Sequence, residues 1–397
     1  MDVQRIWDAA QDALRAVTSC MCQQQAKLKI NGRQYKLVKL LGEGGFSFVY
    51  LAEDEASGRQ FALKVIRCPT GEDGVEEAQR EVAAHRRFKH ANIMRILDSA
   101  VIQDPAGDGK IVYLFLPYFR RGNLFDAVTA HVVRGTHYPE REMVVLFRGT
   151  CDAVRAMHHF RATVRRGARP LEPVPEEEQH DDDDDGGSNL PAPEGDADGG
   201  FSYHAAQPLR NAPSSRRARR QDTREESSDE IPESERVFVE QPWAHRDIKP
   251  ANIMLNDDGQ PVLMDLGSAL PARIPIETRQ QALLAQDLAA ERSSMPYRAP
   301  ELFDVKTGVT LDEKVDVWSL GATLYTLAYL YSPFEAQADQ GASIQMAVLN
   351  AQYKHPASEY SRGLRSLIDA CLVVDPAKRP SIDEVITLTD QVLENLN

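Results

Sequence analysis

The sequence predicts an α+β protein in which a strand-rich N-terminal part leads into a helical C-terminal part. Three observations predict it. A glycine-rich run, Leu41-Gly42-Glu43-Gly44-Gly45-Phe46-Ser47-Phe48-Val49-Tyr50, fits a tight loop between two strands, and the apolar run Phe61–Ile66 fits a further strand. Stretches of helical composition without Gly or Pro breakers follow at 76–88 and 282–292, and 144–160 fits a long helix. A highly charged stretch, 163–236, then separates that long helix from the segment that should follow it closely.

Gly42 and Gly44 let the backbone bend and approach a phosphate where a Cβ would intrude. A glycine pattern alone is weak, because dinucleotide-binding folds use one too, and Ser47 stands where a third glycine would complete G-x-G-x-x-G. The apolar strand that follows carries one lysine, Lys64, and an isolated buried ammonium is costly, so it needs a partner. Glu81, in the charged helix at 76–88, is the predicted partner. Glu76 and Glu77 are rivals about a turn or more earlier.

Residues 245–252 read His-Arg-Asp-Ile-Lys-Pro-Ala-Asn, and Asp265-Leu-Gly follows thirteen positions after Asn252. That order places a proton acceptor, a phosphate-contacting lysine and two metal-binding side chains on neighbouring loops. Transfer of a phosphoryl group asks a protein mainly for positioning and charge cancellation, and this stretch has the parts for both.

The motifs occur in the order found in eukaryotic-type protein kinases, continuing through Ala299-Pro300-Glu301 and Asp316-Val-Trp318-Ser-Leu-Gly321. The chain resembles that family over about 35–397, with one interruption. The resemblance implies a bilobal fold with a β-rich N-lobe and a helical C-lobe. It implies that ATP is held by Leu41, Gly42, Glu43, Gly44, Gly45, Phe46, Ser47 and Val49, by Lys64 at the α/β-phosphates, and by the Phe119 amide in the hinge Leu116-Pro117-Tyr118-Phe119. Asp247 would orient the substrate hydroxyl and accept its proton, Lys249 would steady the γ-phosphate, and Asn252 and Asp265 would hold Mg2+. A lysine two residues after Asp247 resembles the serine/threonine branch, so the expected partners are protein substrates with Ser or Thr hydroxyls. Glu301 and Arg379 resemble the family's buried ion pair. Asp316 is expected to bond the backbone of the catalytic loop, and His245 to be a packed loop residue rather than a base or metal ligand. Leu266 replaces the more usual Phe and keeps an apolar plug.

Glu43-Gly-Gly-Phe-Ser-Phe48, the hinge and Asp265-Leu-Gly-Ser268 resemble the Numb-associated kinases, and most nearly their small myristoylated-and-palmitoylated branch with its fungal vacuole-membrane members. The segment between Asp265 and Glu301 is long. Thr278-Arg-Gln-Gln281 forms a capping box, in which the Thr side chain accepts from the third helical amide and the Gln side chain reaches back. A helix is therefore predicted inside the activation segment, with Leu284 and Leu288 one turn apart. Two modes of control stay open: Arg246 pairing with a phosphate on Ser293, Ser294 or Tyr297, or a preformed helix that holds the segment active without modification.

Removing the insert leaves enough chain for a two-lobed enzyme. The insert 163–236 carries 10 Arg and 19 Asp+Glu, so its net of −9 supplies most of the chain's −14. Many breakers, high charge and few aromatics mark it as a disordered surface loop. Its basic cluster Arg216–Arg220 is flanked by acids and reads as solvated loop, so no nucleic-acid partner is expected. The five cysteines show neither a disulfide framework nor paired metal-ligand spacing. No run is long enough to span a bilayer, and no signal peptide opens the chain.

Three parts are thus expected: an amphipathic segment at 1–26, a kinase domain at 35–162 and 237–397, and the insert within its C-lobe. In the first, Val3, Ile6, Trp7, Ala10, Leu14 and Val17 make one apolar stripe, and Cys20 and Cys22 follow directly. Cysteines placed so are candidate palmitoylation sites, and two acyl chains anchor stably where one does not. Met1-Asp2 lacks the second-position glycine that myristoylation needs. The expected location is the cytoplasmic face of an endomembrane, vacuole or Golgi, with a cytosolic pool. The alternative is a pseudokinase-like scaffold, which the intact Lys64, Asp247, Asn252 and Asp265 oppose.

Overall fold

Asn31 and Gly32 both take positive φ, 48° and 80°, which is the backbone of a two-residue hairpin turn. They join strand β1 (Lys27–Ile30) to β2 (Arg33–Glu43), with Ile30 opposite Arg33. The sheet therefore begins before residue 35, on an Asn-Gly signal. A computed structural model of the chain describes residues 27–44, 47–69, 72–105, 107, 109–165, 232, 234, 236–335 and 343–396.

The hairpin opens a six-stranded sheet completed by β3 (Ser47–Asp54), β4 (Gln60–Cys68), β5 (Asp98–Gln103) and β6 (Lys110–Pro117). The strand order is β1-β2-β3-β4-β6-β5, antiparallel throughout. Alternation sorts the side chains. One face buries Tyr35, Phe61 and Phe115, whose rings meet at 5.2–5.4 Å. The other face buries Val112, Leu114 and Leu116 with Val75, Ala78 and Val82 of helix α1 (Glu72–Arg87). That second layer fixes α1 across β4 and β6, and so sets where Glu81 can reach.

The helical part contains α2 (Leu124–Arg134), α3 (Glu140–His158), α4 (Arg279–Arg292), α5 (Lys314–Tyr329), α6 (Ile344–Leu349), α7 (Arg362–Cys371) and α8 (Ile382–Glu394). Every residue of α5 from Val315 to Tyr329 is buried, as an almost uniformly apolar helix requires. Trp318 stacks on Phe334 with centroids 5.5 Å apart, and a Cβ on Gly321 would come within 2.6 Å of Cys371 on α7. The long helix expected over 144–160 starts a turn earlier and stops at His158.

Short strands β9 (Trp243–Ala244), β10 (Ile253–Leu255), β11 (Pro261–Leu263), β12 (Leu270–Pro271), β13 (Ile274–Ile276) and β14 (Val309–Leu311) lace the loops between them. Before these, β7 (Arg161–Arg165) pairs with β8 (Arg236–Glu240), and residues 162–239 form a unit of their own. Three residues assigned to the start of the insert, 163–165, thus lie in a strand, and Arg236 begins another. Nearly all of the remainder, like segment 1–26 with Cys20 and Cys22, lies outside the described residues. No helix among the described residues is long and apolar enough to cross a membrane.

The activation-segment helix forms as α4. Thr278 Oγ1 accepts from the Gln281 amide at 3.2 Å, and Gln281 Oε1 accepts from the Thr278 amide at 3.0 Å. Leu284 is about half exposed and Leu288 half-buried, while the helix's buried positions are Ala282 and Ala289. Their small side chains allow the helix to lie close against the Pro300–Leu302 turn and β13.

Candidate active site

Lys64 stands on β4, between β3 and β6 in the sheet, and its ammonium reaches α1. Nζ lies 2.7 and 3.0 Å from the two Glu81 oxygens and 3.3 Å from Asp265 Oδ1. Glu81 is thus the partner in the structure. Of its rivals, Glu77 pairs with Arg292 instead. Burial by itself would pull the Lys64 pKa down, but the Asp265 and Glu81 carboxylates outweigh it and raise it above its ordinary value. Burial likewise pushes Glu81 up, and Lys64 with His85 reverses this and holds it below the usual carboxylate range. The Lys64 ammonium lowers Asp265 against the opposing effect of desolvation. Asp265 remains the open member of the three, with a side chain 39% exposed against 7% for Glu81.

The glycine-rich loop hangs from the end of β2. Gly42 pairs with Val49 after a register shift at Leu40, and Gly44 accepts and donates across the turn to Ser47 at 3.4 and 2.8 Å. A Cβ at Gly44 would sit 3.1 Å from Ser47 Oγ, tight for any side chain, whereas a Cβ at Gly42 would meet nothing within 4 Å. Leu41 and Glu43 are exposed beside them, and Gly45 and Phe46 lie outside the described residues. At the other side, β6 ends at Pro117, and Phe119 follows at the exit toward α2.

The catalytic loop hangs from one buried carboxylate. Asp316, fully buried on α5, accepts from the His245 amide at 2.7 Å and the Arg246 amide at 2.8 Å, and from His158 Nε2 at 3.0 Å. These bonds hold Arg246 at φ 69°, a left-handed conformation that a bulky side chain seldom adopts unaided. His245 is satisfied as a packed residue: its Nε2 donates to the Met264 carbonyl at 2.9 Å and its Nδ1 accepts from the Asp247 amide at 3.3 Å.

Asp247 is gripped on both oxygens. Oδ2 accepts from Lys249 Nζ at 2.8 Å and from Asn252 Nδ2 at 3.0 Å, while Oδ1 accepts from the Ser294 amide at 2.9 Å. Asn252 Nδ2 also donates to the Asp247 carbonyl, which turns its Oδ1 away from Asp247. Lys249 in turn donates to Ser294 Oγ at 2.6 Å. Asp265 sits across from this group at φ 61°, and Leu266, 1% exposed, is packed into the helical core behind it.

The activation segment closes onto this loop. Ser268 Oγ donates to the Arg292 carbonyl at 2.6 Å, and Ser293 Oγ donates to the Ala289 carbonyl while accepting from Arg298 Nε at 2.8 Å. Tyr297 is largely enclosed, and burial pushes its hydroxyl pKa up to about 12. The Arg246 guanidinium is buried with Nε and Nη2 unpartnered, facing a cavity of about 10 Å3 bounded by Leu288, Arg292 and Ser293. α4 occupies the space beside it. Farther out, Arg379 forms a two-pronged pair with Glu301 at 2.6 and 2.7 Å.

Sequence reasoning missed the structural partners of Ser294, Ser268, His158 and Glu77. The serine two residues after α4 and the histidine at the end of α3 carry no local pattern; their partners lie 45 and 158 positions away.

The family model for the protein kinase domain matches residues 35–165 and 233–389. Serine/threonine-protein kinase ppk13 of Schizosaccharomyces pombe is 31% identical over 390 residues, covering 98% of both chains. Serine/threonine-protein kinase ENV7 of Saccharomyces cerevisiae is 32% identical over 383 residues, 93% of this chain and 95% of that protein. Serine/threonine-protein kinase 16 of Homo sapiens is 32% identical over 363 residues, 91% of each.

Proposed function

Because this chain belongs to the protein kinase family, as a serine/threonine kinase of the Numb-associated branch, we propose that it transfers the γ-phosphate of ATP, with Mg2+, to protein serine and threonine hydroxyls at an endomembrane surface. One observation carries the catalytic part: Lys64 joins Glu81 and Asp265 while Asp247 is held on both oxygens by Lys249, Asn252 and Ser294.

In this reading the substrate hydroxyl oxygen attacks the γ-phosphorus, the bond from phosphorus to the ADP oxygen breaks, and the hydroxyl proton passes to Asp247. Lys249, already beside Asp247, cancels charge on the moving group, and Lys64 binds the α/β-phosphates. The open space over Gly42 suits a close approach of phosphate to backbone. Asn252 Oδ1 and the exposed Asp265 carboxylate fit a magnesium ion, which takes one or two protein oxygens and completes its shell with phosphate and water. When bound there, magnesium supplies further charge neutralisation at the phosphate oxygens. Asp247→Asn is the test: labelled γ-phosphate should reach a generic protein substrate with the wild type and fall at least about a hundredfold with the variant. Equal incorporation by both would show that the activity is not this enzyme's.

Membrane attachment would come from acylation of Cys20 and Cys22 behind the apolar stripe of the N-terminal segment; two chains suffice for stable anchoring. Replacing both with Ser and fractionating cells tests it. An unchanged membrane fraction would refute the acyl anchor.

A further inference from the structure

Glu77 and Arg292 join α1, which carries Glu81, to the end of α4, whose last carbonyl is bonded by the loop that follows Asp265. Glu77 lies one turn before Glu81 on α1, and its Oε1 is 2.7 Å from Arg292 Nη2. Arg292 is the last residue of α4 and is largely buried, with its side chain 20% exposed. Its carbonyl accepts from Ser268 Oγ at 2.6 Å, directly after Asp265-Leu266-Gly267. Gly267 completes the contact, because a Cβ built on it would lie 3.6 Å from Glu81 Oε2. One residue therefore ties down α1 through its side chain and the 265–268 loop through its backbone. A cation at a helix C-terminus is also favourably placed toward the last carbonyls.

We propose that Arg292 is a positioning residue that, through Glu77, holds α1 in the place where Glu81 meets Lys64. The pair makes the activation-segment helix a clasp on α1, so that order in one element is transmitted to the ATP-contacting lysine in the other. This rests on the kinase reading above. It adds to that reading a specific route by which the segment after Asp265 controls Lys64. Glu77 is half exposed and is not itself a partner of Lys64, whose carboxylates are Glu81 and Asp265.

The test is a charge swap on the full-length protein. Glu77→Gln touches an exposed position and leaves the fold intact; it should lower kcat/KM for ATP about fivefold, the effect of losing an ion pair of partly exposed type. Glu77→Arg and Arg292→Glu should each lower it further. The double variant Glu77→Arg/Arg292→Glu should return to within about twofold of wild type, which a purely structural role for either residue would not produce. Amide exchange over 72–87 gives a readout that needs no catalysis: it should quicken in the single variants and recover in the double. An unchanged Glu77→Gln enzyme with unchanged exchange overturns the proposal, as does a double variant no better than the worse single. If the wild type proves inactive, the kinase reading fails while the exchange experiment still decides this one.

Discussion

The backbone amide of Ser294 donates to Asp247 Oδ1 at 2.9 Å while its hydroxyl accepts from Lys249 at 2.6 Å. The end of the activation segment is thereby part of the catalytic loop's own hydrogen-bond set. This orients the carboxylate and the ammonium together, adding to the hold that Asn252 and Asp316 already have on the loop. Ser294→Ala keeps the amide and removes the hydroxyl. It should cost about tenfold in kcat, as expected for losing a hydrogen bond to a charged group, with little change in KM for ATP. A phosphate on Ser294 would set a dianion against Asp247. Protein modified at that position should therefore be nearly inactive, and a peptide-phosphorylation assay showing activation would contradict this.

Lys64 bears on stability as well as on the proposed contact with ATP. Lys64→Met leaves Glu81 buried without its cation and should destabilise the fold by about 3 kcal/mol, measured by urea unfolding. Adding Glu81→Gln removes the stranded charge, so the double variant should regain most of that stability and none of the activity. Recovery of activity in the double variant would mean that Lys64 is not the phosphate contact.

Acid sensitivity should trace to Asp316. Burial alone would raise its pKa, but the hydrogen bond and charge of His158, then His245 and the Arg246 amide, depress it below 3.8. A group depressed in the folded state contributes stability that is present above its unfolded value and is lost as pH falls through the folded one. The contribution should hold above about pH 4 and be lost progressively as pH falls from there through the depressed folded value. Asp316→Asn should lower stability at pH 7 by about 3 kcal/mol, because its amide group cannot accept every hydrogen bond the carboxylate does. Below pH 4 the gap to wild type should narrow. Unfolding curves at pH 7, 5, 4 and 3 check the sign; a gap that widens in acid would be the wrong one.

Much of this site was legible because its chemistry is local in sequence. Lys64 announces itself as one charge in an apolar strand, and Asp247, Lys249 and Asn252 lie within six residues. Asp316 could be assigned to the catalytic loop only through the family resemblance, and His158 beneath it gave no sign at all. What escaped depends on tertiary neighbours: Ser294 reads as an ordinary serine until the segment folds back, and Glu77 as a solvated charge until α4 arrives. The β1–β2 hairpin does have a local signal, Asn31-Gly32, whose two positive-φ residues make its turn. On α4 the capping box at 278–281 was legible, whereas the burial of Ala282 and Ala289 follows from packing against the Pro300–Leu302 turn, which no local pattern announces.

The two ends of α4 should then differ in what they control. At the N-terminus, Thr278 Oγ1 satisfies the Gln281 amide, and Gln281 Oε1 satisfies the amides of Glu277 and Thr278 at 2.8 and 3.0 Å. Thr278→Ala should cost about 1 kcal/mol of stability, the usual effect of losing such a cap, and fray the first turn. At the C-terminus, Ser268 holds the Arg292 carbonyl and Ser293 leads into Ser294 beside Asp247. Ser268→Ala removes a hydrogen bond at that end and should lower kcat/KM for ATP severalfold while the first turn stays ordered. Amide exchange resolves the two: Thr278→Ala should quicken exchange near 281–284 and leave activity within about twofold, whereas Ser268→Ala should quicken it near 290–294 and reduce activity. Equal losses of activity from both variants would mean that α4 acts as one rigid unit and that its C-terminal end has no special hold on the site.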